Sequence, residues 1–263
     1  MNTNKIAFIL ILIIVIVVIV GESPSLKGKI APTIQNIRLK IITKDMQVKK
    51  IDNITYYSNK NEENYINTIK EYIKEGEEKT SPLLGQTTMY PLNIIMFTTP
   101  EAFGKVFKVN PKESLAVTIL NSIYAPYKNV DPYVFVHEYT NYKINSFCIV
   151  NRLSIFEIPI WFKEGVAEYA SSTLLPKKFK SSKLQEIQDF RKLDTQKQML
   201  ESWDKGHDTY MQSYIVVKKI IELKGEDSVQ QILINTKSMT FYNAFEKVVG
   251  VSIEDFQKLL LTN

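Results

Sequence analysis

The chain has 263 residues, 44% hydrophobic and 23% charged, with 33 Lys and Arg against 28 Asp and Glu and a formal charge of +5. That length suits a targeting segment plus one or two domains, and the composition excludes wholesale disorder. The basic excess is dispersed and forms no aromatic-interleaved stripe, so no nucleic-acid partner is expected; the single cysteine, Cys148, excludes an internal disulfide and a cysteine-based zinc site.

Residues 6–20, IAFILILIIVIVVIV, form an unbroken apolar run behind Lys5. The run is shorter than the about 20 residues a spanning helix needs, and it has the charged front of a signal sequence. Residues 1–25 therefore read as an uncleaved signal anchor. The expected location is the cell membrane, single-pass, with the main domain extracytoplasmic. Secretion after cleavage near Ser23 and Ser25 is the alternative. Residues 26–48, with Gly28 and Pro32, read as a linker.

From residue 49 to 263 the pattern is that of one α+β domain. A short β-rich run ends at Ser58, and Tyr65, Ile69, Tyr72 and Ile73 then recur at helical spacing. Residues 90–99, YPLNIIMFTT, predict a strand, Pro100 opens a short helix, and 115–125, LAVTILNSIYA, predict another strand at a sheet edge. Residues 49–130 thus make a small mixed sheet with helices. After Asp131 the chain becomes helical. Asp131-Pro132 is a helix entry, an N-cap type followed by proline at the first helical position. Helices are predicted through VFVHEYTNYKI, through WFKEGVAEYAS after Pro159, and over 181–193, 208–223, 226–235, 240–249 and 252–261. Gly225 and Gly250 act as stops. Strands first and helices afterwards define α+β rather than a doubly wound sheet.

Two segments carry chemistry: His137-Glu138-Tyr139-Thr140-Asn141, and Trp161 to Tyr169, WFKEGVAEY. In a helix of the HExxH kind, two imidazoles four residues apart share a face and hold zinc, and the intervening Glu polarises the metal-bound water. Here His137 and Glu138 stand in place and position 141 carries Asn. His137 as a hydrogen-bonded core histidine, and Glu138 and Glu164 as solvated helix charges, are the competing readings. His207 reads as a polar loop residue.

HEYTN followed by PIWFKEGVAEY resembles the peptidase MA-like gluzincins, whose pattern is HExxH, then proline, an aromatic and EGxAEY. The resemblance spans about residues 50–260 and extends to the segment after Tyr210 and to Gly250-Val251-Ser252. It implies a zincin-like architecture and a peptide or protein substrate. Zinc would be held by His137, Glu164 and, at the second ligand position, Asn141. Glu138 would be the general base, and Tyr210 would steady the tetrahedral intermediate. The 115–125 strand would be the edge along which a peptide lies. Asn141 departs from the pattern, because a neutral amide oxygen is a poor zinc donor beside imidazole and carboxylate. Two functions follow: a membrane-anchored or exported zinc metallopeptidase, or a pseudopeptidase that binds through the old cleft. His207 as a substitute ligand, or a metal other than zinc, remains open at this point.

Overall fold

The computed structural model describes residues 24–59, 63–85, 90–109, 115–127, 130–179 and 187–261. The fold is α+β. Helix α1 (Pro24–Ile42) precedes strands β1 (Gln47–Ile51) and β2 (Ile54–Ser58). Helix α2 (Glu63–Leu84), strand β3 (Leu92–Phe97), helix α3 (Pro100–Phe107) and strands β4 (Val117–Ile119) and β5 (Ser122–Pro126) complete the first half. The sheet order is β1-β2-β3-β5-β4. Its centre, β2–β3 and β3–β5, is parallel, and both outer pairs are antiparallel.

Period-two alternation sorts the strand residues between two cores. Tyr56, Ile94, Met96, Ile123 and Ala125 face one side. Tyr57, Ile95, Phe97 and Tyr124 face the other. A sheet apolar on both faces must be covered on both, which corrects the linker expected over 26–48. That stretch is helical through Ile42. Leu39, Ile42 and Met46 pack on Ile95, Phe97 and Tyr124, and Gln35 Nε2 donates to the Tyr124 hydroxyl at 2.8 Å.

Three further expectations need correction. The single strand over 115–125 is a hairpin, β4 and β5, turning at Leu120 with a left-handed φ of 53°. The apolar run hides the turn because Leu120 is not a turn-type residue. Within 187–193, the described part of the helix expected over 181–193, there is only a 3-10 turn at Phe190–Lys192, and residues 181–186 lie outside the described residues. The membrane location is also corrected. Among the described residues no helix is long and apolar enough to cross a membrane. The apolar run 6–20 on which that expectation rested lies outside the described residues.

The second half comprises α4 (Pro132–Val150), α5 (Ile160–Ser171), α6 (Pro176–Phe179), α7 (Gln196–Trp203), α8 (Thr209–Lys224), α9 (Ser228–Asn235), α10 (Phe241–Val249) and α11 (Ile253–Leu261). The entry at Asp131 forms as expected: its carboxylate accepts from the Val134 amide at 2.8 Å, a cap worth about 1 kcal/mol. Helix α4 is buried on nearly every face, as befits a helix between two layers. Phe135, Tyr139 and Tyr142 pack under the sheet, while Ile144, Phe147 and Cys148 enter the helical core. Helix α5 crosses α8 at very short range. A Cβ on Gly165 would stand 2.4 Å from the Ser213 carbonyl oxygen and 2.7 Å from Val217 Cγ2. The absence of a side chain at this one position sets how near α8 comes to Glu164.

Candidate active site

His137 and Glu138 lie in the second turn of α4, and Glu164 and Glu168 one turn apart on α5, the helix packed against it. Residues four apart share a helix face, so both carboxylates are presented to the same imidazole. His137 Nε2 lies 2.9 Å from Glu164 Oε2. On the opposite edge of the ring, Nδ1 lies 3.6 Å from Glu168 Oε1, an ion-pair contact rather than a hydrogen bond. Burial alone would lower the imidazole pKa, but the bond to Glu164 and the charges of Glu164, Glu168 and Glu138 outweigh it and lift it to about 9. Without a metal, His137 is therefore an imidazolium between two carboxylates at neutral pH.

Glu168 is buried and held from its far side. The Tyr133 hydroxyl donates to Glu168 Oε2 at 2.7 Å, and Lys178 Nζ of α6 lies 3.0 Å from Oε2 and 3.2 Å from Oε1. Lys178 also sits 5.0 Å above the Tyr133 ring centroid, in cation–π range. Burial and the Glu168 charge push the Tyr133 hydroxyl well above its ordinary pKa, so it stays a proton donor. The result is one chain of contacts: Glu164, His137, Glu168, then Tyr133 and Lys178.

Glu138 has a raised pKa, chiefly because burial disfavours its charged form; the His137 charge and hydrogen bonds from Thr118 act against that rise. Thr118 belongs to β4, and its Oγ1 also donates to the Glu138 carbonyl at 2.9 Å. The edge strand is thus tied to the helix that carries the motif. Tyr210, at the start of α8, is half-buried. Burial, then the charge of Glu164, raises its pKa, and the nearby Gln196 side chain acts against that rise. Its phenol therefore lies within the electrostatic field of the site.

No protein-family profile matches the chain. No curated protein matches it either. Among solved structures, it is similar to a two-domain M1 zinc metallopeptidase variant bound to L-arginine, at 10% identity and a TM-score of 0.38, over 82% of this chain and 50% of that one. The chain spans about half the length of that structure. A likeness this distant carries no argument about activity.

Of the residues singled out in the sequence, the structure brings His137, Glu138, Glu164 and Tyr210 into one electrostatically coupled group. Asn141 follows one turn after His137 on α4 and is half-buried. His207 lies against Gln188, with Nδ1 3.2 Å from Gln188 Nε2. Cys148 is buried in the helical core, and burial pushes its thiol pKa up to about 12, which makes it unreactive.

The donors here fall short of a zinc centre. Three strong protein ligands and one open position define catalytic zinc, whereas His137 and Glu164 supply two and Asn141 only an amide. Among the described residues, no group of three or more His, Cys, Asp or Glu side chains is arranged to hold a metal ion. Although Glu168 is near, it approaches His137 Nδ1, the opposite edge of the ring from Glu164. The zinc ligand set implied by the resemblance thus contains one weak donor, the Asn141 amide.

Sequence reasoning missed Glu168, Tyr133 and Lys178. Glu168 was findable, because it stands four residues after Glu164 in EGVAEY, on the same helix face. Nothing local marks Lys178, which reaches Glu168 only because the chain turns back through the 3-10 turn Ser172–Leu174.

Proposed function

We propose that this chain keeps a gluzincin-like peptidase framework without a working metal centre, and that its cleft binds an extended peptide or protein segment rather than hydrolysing it. The observation that carries this reading is the imidazole of His137 held between two carboxylates, with an amide at the position where the resemblance expects the second imidazole. Zinc held by His137 and Glu164 would have to make do with an amide as third donor.

Strand β4 supports the peptide half of the reading. It is the last strand of the sheet, and Thr118 ties it to Glu138. An extended ligand can add to such an edge through its own backbone.

The test is zinc calorimetry on purified protein, paired with a hydrolysis assay on a mixture of unstructured peptides. The expected result is no stoichiometric tight zinc and no cleavage. Tight zinc together with cleavage that a chelator abolishes overturns the proposal and restores the hydrolase, with Glu138 as base.

A further inference from the structure

Helix α7 was not anticipated from the sequence, and the function proposed above makes no use of it. It begins with a capping box, in which the Thr195 side chain accepts from the Gln198 amide while the Gln198 side chain accepts from the Thr195 amide. Met199 is buried in the helical core and fixes one side of the helix. Gln196, Leu200 and Trp203 follow one another at spacings of four and three, so they form a single stripe on another side.

One end of that stripe touches Tyr210. The Trp203 ring packs edge-on against the Tyr210 ring with centroids 5.8 Å apart. Yet Leu200 is 48% exposed and Trp203 49%. Two large apolar side chains are thus left in water beside a phenol that feels the charge of Glu164.

We infer that Leu200 and Trp203 form a shelf that receives one large apolar or aromatic side chain of the peptide bound in the cleft. The inference rests on the peptide-binding reading and names its selectivity. Size argues for this occupant. A tryptophan offers at most ~150–250 Å² to cover, whereas a stable dimer interface buries ~1,200–2,000 Å² in total. The shelf is too small for a second copy of the chain and right for one side chain. Position argues the same way: Trp203 packs on Tyr210, three residues before Ser213, whose carbonyl lies against Gly165 beside Glu164.

The experiment uses random dodecapeptides displayed on phage, panned against the full chain and against Trp203→Ala. Enriched peptides are then synthesised, and their affinities measured by fluorescence anisotropy for wild type, Trp203→Ala, Leu200→Ala and Trp203→Phe. Enrichment of a large apolar residue at one position is expected. Affinity should fall roughly tenfold or more in Trp203→Ala, as for an aromatic anchor, and largely recover in Trp203→Phe. Changing that peptide residue to alanine should cost little further in Trp203→Ala, since the two changes remove the same contact. Circular dichroism melting of each variant separates lost binding from lost folding. If peptides enrich with no preferred apolar position, or bind Trp203→Ala as tightly as wild type, the shelf is overturned while peptide binding stands. If no peptide enriches, the peptide-binding function falls, and the shelf with it.

Discussion

Helix α4 carries two charge networks only six residues apart, and they are built differently. At Lys143, which is 1% exposed, the ammonium lies 2.9 and 3.0 Å from the two oxygens of Glu77 on α2, and the Tyr139 hydroxyl donates to the same carboxylate at 2.9 Å. One positive charge meets one negative charge, and the pair closes on itself. At His137 the carboxylates of Glu138, Glu164 and Glu168 meet His137 and Lys178, and Glu164 also feels the charge of Lys163. That group is a branched network in which no single pair closes on itself. A balanced buried pair belongs to folding, where losing one partner strands the other. A branched buried cluster with raised pKa values marks a candidate functional site.

The largest expected effect breaks the balanced pair. Glu77→Ala leaves the Lys143 ammonium buried without its carboxylate. A fully buried pair would lose ~3–5 kcal/mol; because the Glu77 side chain is 36% exposed, water screens the pair and about 2–3 kcal/mol is expected by urea titration. Glu138→Gln at the branched cluster should leave stability unchanged or slightly higher. Equal losses at both sites would erase the distinction between the networks.

Next in size is Gly165→Ala. Helix propensity favours alanine by ~1 kcal/mol, but the new methyl meets backbone at 2.4 Å, which cannot swing away. Overpacking of ~1–3 kcal/mol should outweigh the propensity gain. Tyr210 should also move away from Glu164 and become more accessible to tyrosine-directed nitration. An unchanged or raised melting temperature would show that α5 and α8 have slack.

Asn141→His places a second imidazole on the same helix face as His137. Zinc affinity should rise at least about tenfold, since even changes around a ligand are worth ~10–100-fold. Equal zinc isotherms for the two proteins would mean that position 141 does not face His137 and Glu164.

A further test is a pH dependence in metal-free protein. His137 has its folded pKa raised from 6.5 to about 9. The sign follows from linkage: the stabilisation is fully present below the unfolded value and is lost as pH rises through the folded one. The urea midpoint should therefore fall between pH 6.5 and 9, and the fall should vanish in His137→Gln. A midpoint that is flat over that window in wild type would mean that His137 is neutral in the folded protein.

Most elements were legible where local chemistry marks them. Asp131-Pro132, Pro100, Gly225 and Gly250 bound helices as their types dictate, and Gly225 and Gly250 take φ of 85° and 93° at the helix ends. Elements without such marks were misread. Leu120 turns a hairpin inside an apolar run, and α7 lacks a long periodic stripe because it is only eight residues long. The site divides in the same way. The pairing of His137 with Glu164 was implied by the motif, and the grip of Lys178 and Tyr133 on Glu168 was not.

By itself, then, the sequence determined the α+β order, the helix carrying His137 and Glu138, and the amide at position 141, because propensity, capping and donor chemistry are properties of residues and their near neighbours. The tertiary structure alone decided that residues 24–42 cover a sheet face, that Glu168 takes the second ring nitrogen of His137, and that Trp203 stands beside Tyr210. These depend on how helices far apart in the chain cross, and the crossing is set by packing across whole layers, such as the bare Gly165 backbone against Ser213.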